Sequence, residues 1–192
     1  RKNMDLNKYL RHIPNLITVA NMVLGTLVLF SAISQKGEEY RLAACIMILI
    51  AVVLDVFDGK IARSLNMESS LGKQLDSFAD LISFGLAPMA VLLTYNSFRD
   101  LGWLIYTCIA IYTIAAAYRL ARFNTGNYTD FFLGLPITAS GLILTLTNII
   151  LHFYDFYNRS PRTLPVIILI CILAVLMASN IKIYRIGFRL SG

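Results

Sequence analysis

Asp55 and Asp58, followed by Asp76 and Asp80, are four carboxylates set inside two long apolar stretches of the chain. A charged side chain deep in a bilayer costs at least about 2.5 kcal/mol even on lenient scales, so four together demand cations among them. Helical spacing lets them converge. Asp55 and Asp58 stand at i and i+3 on one face, and Gly72, Asp76 and Asp80 follow at i, i+4 and i+8 down one face of the next segment. The connection from Ser64 to Leu71 is short and polar, which makes the two segments antiparallel neighbours with both acid pairs toward the same end. A donor set made only of carboxylates suits hard ions, Mg²⁺ or Mn²⁺, with Ca²⁺ a possible occupant, rather than zinc, for which His or Cys is expected nearby. Two such ions balance four carboxylates and leave positions for phosphate oxygens, the arrangement of two-metal phosphoryl chemistry.

The neighbours of the acids fit a phosphate-bearing ligand. Gly59 and Ala62 remove bulk one turn from Asp55 and Asp58, and Arg63 supplies a planar fork. Taken singly, these residues would be a helix-packing seam and a basic flank; four acids in adjacent apolar segments have no such ordinary reading. His12 and His152 are isolated at opposite predicted faces, so neither is a candidate base. Cys45, Cys108 and Cys171 lie in apolar runs without CxxC or CxxH neighbours and read as small hydrophobic fillers.

The elements that must hold these acids are membrane helices. Of 192 residues, 57% are hydrophobic and 15% charged, more apolar than a soluble domain of this size can be. Six spanning helices are expected, over Leu16 to Ile33, Leu42 to Ile61, Gly72 to Tyr95, Leu101 to Tyr118, Phe131 to Tyr154 and Leu164 to Ile181. The expected fold is therefore an all-α integral membrane protein forming one domain over 1–192, with a six-helix bundle over 14–186. Residues 1–13 carry Leu6, Leu10 and Ile13 among Lys and Arg, which fits a short interfacial helix or a basic tail. The first apolar run is long enough to span and lacks a small-residue cleavage site, so no cleavable signal peptide is expected. Of the 17 Lys and Arg, only Lys36, Arg41, Arg99, Arg159 and Arg162 fall on the side away from the termini. The bias puts both termini and the acidic end in the cytoplasm of a protein of the cell membrane. The net charge of +6 comes in short clusters beside apolar segments, which favours anionic lipid and phosphorylated substrates as partners and argues against nucleic acid.

The run Asp55-Val-Phe-Asp58-Gly59-Lys-Ile-Ala62-Arg63, then Gly72, Asp76 and Asp80 at fixed intervals, resembles the signature of the CDP-alcohol phosphatidyltransferase family, and no signature position departs from it. The resemblance implies that Asp55, Asp58 and Asp76 hold two metal ions, with Asp80 close to a metal and acting as general base. It implies that Gly59, Ala62, Arg63 and Gly72 contact the CDP moiety of a CDP-diacylglycerol or CDP-archaeol type lipid, and that the protein is a homodimer. The acceptor hydroxyl then attacks the lipid-bearing phosphorus and CMP leaves.

Shorter motifs narrow the acceptor. Arg119-Leu-Ala-Arg122-Phe-Asn124, Gly134-Leu-Pro136 and Ile13-Pro14-Asn15-Leu-Ile-Thr18 resemble the phosphatidylserine synthase branch of that family. L-Serine is then the expected acceptor, its carboxylate held by Arg119 or Arg122, with Asn124 alongside. Asn15 and Thr18 would reach the cytosine or bond a neighbouring helix, while Gly134 and Pro136 would break the start of the fifth span. Two arginines at a helix end also serve as topology signals, as do Lys182 and Arg185 after the last span, unless these bind a lipid phosphate. Competing readings are the same chemistry on glycerol 3-phosphate or inositol phosphate, and a divalent-cation transporter, since intramembrane carboxylates also mark ion pathways.

Overall fold

The computed structural model describes residues 13–34, 38–64, 69–126, 131–153 and 163–184. The first helix, α1 (Ile13–Ile33), buries Thr18, Asn21, Gly25 and Val28 in one stripe and turns Leu16, Val23, Leu27 and Phe30 outward, the pattern of a helix with one face on protein and the other on lipid. It packs along α2 (Glu38–Ser64) and against α3 (Ser70–Asp80) and its continuation, and α2 packs on that continuation. That continuation is a π-helical segment, Leu81–Leu86, followed by α4 (Ala87–Leu92). A short α5 (Asn96–Arg99) leads to α6 (Trp103–Thr125), then come α7 (Ile137–Phe153) and α8 (Thr163–Ala178).

Four of these stretches are long and apolar enough to cross a bilayer: Asn15–Ile33, Tyr40–Lys60, Ser70–Leu92 and Trp103–Thr125. They coincide with the first four expected spans. The helices at the last two, α7 and α8, are apolar but have 17 and 16 residues. The expected interfacial segment lies outside the described residues except at its edge, Ile13.

The span Ser70–Leu92 is the centre of the bundle and the most buried of the four. Its π segment has a local cause. Pro88 has no N–H to return to the Phe84 carbonyl, and the Ala87 N–H reaches back to Ile82. The Phe84 oxygen is taken instead by the Tyr112 hydroxyl at 3.3 Å, which also pairs with the Ser140 hydroxyl at 2.9 Å. In lipid such a carbonyl cannot fall back on water, so a neighbouring helix must supply the donor. Close packing holds the segment from two sides. A Cβ on Gly25 of α1 would collide with Ser83 Oγ, and one on Gly141 of α7 would stand 2.6 Å from Phe84 Cβ.

Two features depart from the purely helical expectation. Phe131–Leu133 (β1) pairs antiparallel with Lys182–Tyr184 (β2), Phe132 opposite Ile183. The last helix thus ends at Ala178, and Lys182 lies in a strand rather than at a helix end. Neither three-residue segment shows an alternating pattern long enough to be read as a strand. Arg41, tallied as a far-side flank, is buried: its Nε donates to Thr94 Oγ1 and its Nη2 to the Thr94 carbonyl, both at 3.0 Å, with the guanidinium 4.2 Å over the Tyr95 ring.

Candidate active site

Helices α2 and α3 bring three of the four acids together. One carboxylate oxygen from each of Asp55, Asp76 and Asp80 lies within 4.8 Å of the others. At that separation each pair of unit charges repels by about 3.5 kcal/mol at an effective dielectric constant of 20. Three such pairs rival the net stability of a typical domain. The fit to a cation is good on the structure's own terms. The donors are hard oxygens, and Asp76 Oδ1 and Asp80 Oδ1 are buried with no hydrogen-bond partner among the described residues.

Hydroxyls from other helices hold one oxygen each of Asp55 and Asp58. Thr138 Oγ1, in the first turn of α7, donates to Asp55 Oδ2 at 3.0 Å, and Thr18 Oγ1 of α1 donates to Asp58 Oδ2 at 2.8 Å. Asp58, 4% exposed, stands outside the group of three but close enough to Asp76 for their charges to interact. Arg119 on α6 is buried beside the group, within Coulombic reach of Asp80 and Asp55. Its Nε has no hydrogen-bond partner among the described residues, and its guanidinium lies 5.6 Å from the Phe123 ring centroid.

Gly72 is crowded as well as near the acids. Its N–H donates to Ser69 Oγ, which caps α3, and a Cβ there would meet Asn15 Oδ1 and Ser69 Oγ at 3.0 Å each. Asn15, Thr18, Asp58 and Gly72 therefore share one end of the bundle. Gly59, Ala62 and Arg63 lie in the last turns of α2, the side chains of Ala62 and Arg63 being outside the described ones. His12 and Arg185 also lie outside the described residues.

The two arginines weighed for the acceptor carboxylate turn to different places. Arg122 points its fork at the end of α8, donating to the carbonyls of Met177, Ala178 and Ser179 and to Asn180 Oδ1, the last at 2.9 Å. These are orphan carbonyls of a helix C-terminus, which a cation satisfies both by hydrogen bonding and by its charge. Asn124 likewise turns to protein, its Nδ2 donating to Ser77 Oγ at 2.8 Å and tying α6 to the residue after Asp76. Gly134, at φ +71, could carry no side chain: a Cβ would lie 2.6 Å from the Met177 carbonyl oxygen.

Two polar residues escaped the sequence reading, Thr138 at the site and Asn21 on α1. Thr138 lies two residues past a proline that reads only as a helix break. Asn21 is completely buried on α1 with neither side-chain atom partnered among the described residues, and its carbonyl accepts from Ser83 Oγ at 3.0 Å. Its position three residues after Thr18, on the same helical face, was the available signal.

Fold and site together define a helical membrane protein with a carboxylate centre near one end of the bundle. A family model described as CDP-alcohol phosphatidyltransferase matches residues 11–184, and the chain belongs to that family. Membership makes it a transferase of that class rather than a cation transporter. Among its relatives, the CDP-diacylglycerol-serine O-phosphatidyltransferase of Helicobacter pylori is 34% identical over 88% of this chain and 70% of its own length. The protein of the same name from Bacillus subtilis is 35% identical over 90% of both chains. That of Methanocaldococcus jannaschii is 35% identical over 71% of this chain and 61% of its own.

Proposed function

We propose that the protein transfers a phosphatidyl group from CDP-diacylglycerol, or an ether-lipid equivalent, to L-serine, forming phosphatidylserine and CMP. The observation that carries this reading is the group Asp55, Asp76 and Asp80 with open oxygens beside the buried guanidinium of Arg119. The names and coverage of the relatives support serine as acceptor.

Asp55, Asp58, Asp76 and Asp80 would hold two divalent cations, Mg²⁺ or Mn²⁺, which when bound neutralise phosphate charge and position the transferring group. Asp80, fixed by the central helix and buried, takes the proton from the serine hydroxyl as that oxygen bonds to the lipid-bearing phosphorus. The bond from phosphorus to the CMP oxygen breaks, and CMP carries away the negative charge. Arg119 orients the serine carboxylate; Arg122, committed to the end of α8, supports the site from behind. Gly59, Ala62, Arg63 and Gly72, with Asn15 and Thr18, line the approach for the CDP moiety. The bundle crosses the membrane six times as a homodimer, with termini and site in the cytoplasm.

The test offers purified protein CDP-diacylglycerol, Mg²⁺ or Mn²⁺, and separately L-serine, glycerol 3-phosphate and inositol phosphate, with CMP release and lipid product measured. Serine alone should give rapid CMP release and a product carrying a primary amine. Faster release with a phosphorylated acceptor would overturn the choice of serine, and no release with any acceptor would overturn the activity.

A further inference from the structure

The segment from Gly134 to Thr138 is tied at both ends to groups that no helix of its own provides. Upstream, the Gly134 N–H donates to the Ile181 carbonyl at 2.9 Å and the Leu135 N–H to the Leu176 carbonyl at 3.1 Å. These acceptors flank the end of α8, where the fork of Arg122 gathers the Met177, Ala178 and Ser179 carbonyls and Asn180. The β1–β2 pair continues the same tie from Leu133 opposite Lys182 out to Phe131 opposite Tyr184. Downstream, α7 begins at Ile137, and the second residue of that helix, Thr138, places its hydroxyl on Asp55 Oδ2. Arg122, Gly134 and Thr138 thus form one mechanical path from the end of the last helix to a carboxylate of the acidic group.

We infer that Thr138 is a positioning residue for cation binding, its hydroxyl fixing the Asp55 carboxylate while the clasp of Arg122 and Gly134 on the end of α8 fixes Thr138. The inference rests on the reading of the acidic group as a divalent-cation site. A carboxylate that holds an ion with one oxygen must be kept from rotating, and a hydroxyl donated to its other oxygen does so without competing for the ion. Thr138 is suited to this. Its branched Cβ limits the side chain to few rotamers, and the first turn of a helix whose approach is clamped leaves the backbone little freedom. Thr138 touches neither reacting atoms nor acceptor; it acts through Asp55. Partners of this kind typically change metal affinity 10- to 100-fold when removed.

The experiment titrates purified protein in detergent with Mn²⁺ alone, following loss of the free-ion electron paramagnetic resonance signal, with no lipid or acceptor present. Thr138→Val, close in shape but without the donor, should bind Mn²⁺ at least tenfold more weakly, while Thr138→Ser should stay within about threefold of the parent. Melting temperatures without metal report whether the variants fold; if Thr138→Val does not, Thr138→Ala replaces it in the same comparison with Thr138→Ser. Unchanged Mn²⁺ affinity in the variant lacking the hydroxyl overturns the inference. So does an equal loss in Thr138→Ser, which would assign the effect to packing by the methyl group. Absence of saturable Mn²⁺ binding in the parent protein is a different failure: it removes the cation site itself, and this inference with it.

Discussion

Replacing Asp80 by Asn separates the base from the ligands. Asp80 is 7% exposed, shares the acidic group with Asp55 and Asp76, and has one buried oxygen with no partner among the described residues. Asn keeps the size and one oxygen, so packing on the central helix survives. It removes one charge from a group in which each pair repels by about 3.5 kcal/mol at an effective dielectric constant of 20, so the metal-free protein should not lose stability. What is lost is a proton acceptor. Removing a general base slows reactions by about 10²- to 10⁴-fold, which at about 1.4 kcal/mol per decade raises the barrier by about 3 to 6 kcal/mol. The assay measures CMP release from CDP-diacylglycerol and serine across a Mn²⁺ titration, alongside binding of the CDP-lipid to the same protein. The expected result is binding that saturates at higher Mn²⁺ with turnover down at least a hundredfold at saturation. Near-normal turnover at saturating Mn²⁺ would refute the reasoning, because Asp80 would then be a ligand only and the proton would leave by another group.

Excess chelator should abolish turnover, and Mg²⁺ or Mn²⁺ should restore it; full activity in chelator would contradict the cation reading of Asp55, Asp76 and Asp80. Arg119→Gln should raise the KM for serine about tenfold or more while moving that for the CDP-lipid far less, since a charge-assisted hydrogen bond contributes about 1.5 to 3 kcal/mol; equal changes in both would place Arg119 on the phosphate or in the packing. Arg122→Gln should instead lower the melting temperature in detergent, by a loss of about 1 to 2 kcal/mol at the end of α8, without selective change in the serine KM. A selective rise in that KM would return Arg122 to the acceptor. Gly141→Ala drives a methyl to 2.6 Å from Phe84 Cβ and should destabilise by about 1 to 3 kcal/mol through overpacking, read as a lowered melting temperature; an unchanged one would mean that α7 and the π segment separate freely.

That Asp55, Asp76 and Asp80 come together was legible because their placement is built from local periodicity. Asp55 and Asp58 at i, i+3, and Asp76 and Asp80 at i, i+4, are fixed on helical faces by the helix itself, and the short connection between α2 and α3 leaves only an antiparallel pairing. Apolar length alone likewise identified four spans, because a bilayer imposes a minimum helix length that composition records. Tertiary structure decided what depends on contacts between distant segments. Arg119 and Arg122 are one turn apart in one motif, yet Arg119 turns to the acids while Arg122 caps α8, a choice made by where α8 ends and not by anything within α6. Thr138 follows a break signal, and only the packing of α7 on α2 turns it into a partner of Asp55. The β1–β2 pair and the π segment are of the same kind: a strand of three residues needs its partner to exist, and the Phe84 carbonyl can be left free by Pro88 only because Tyr112 on α6 reaches it. A single sequence records which face a residue takes on its own helix; what faces it across the bundle is set by the other helices.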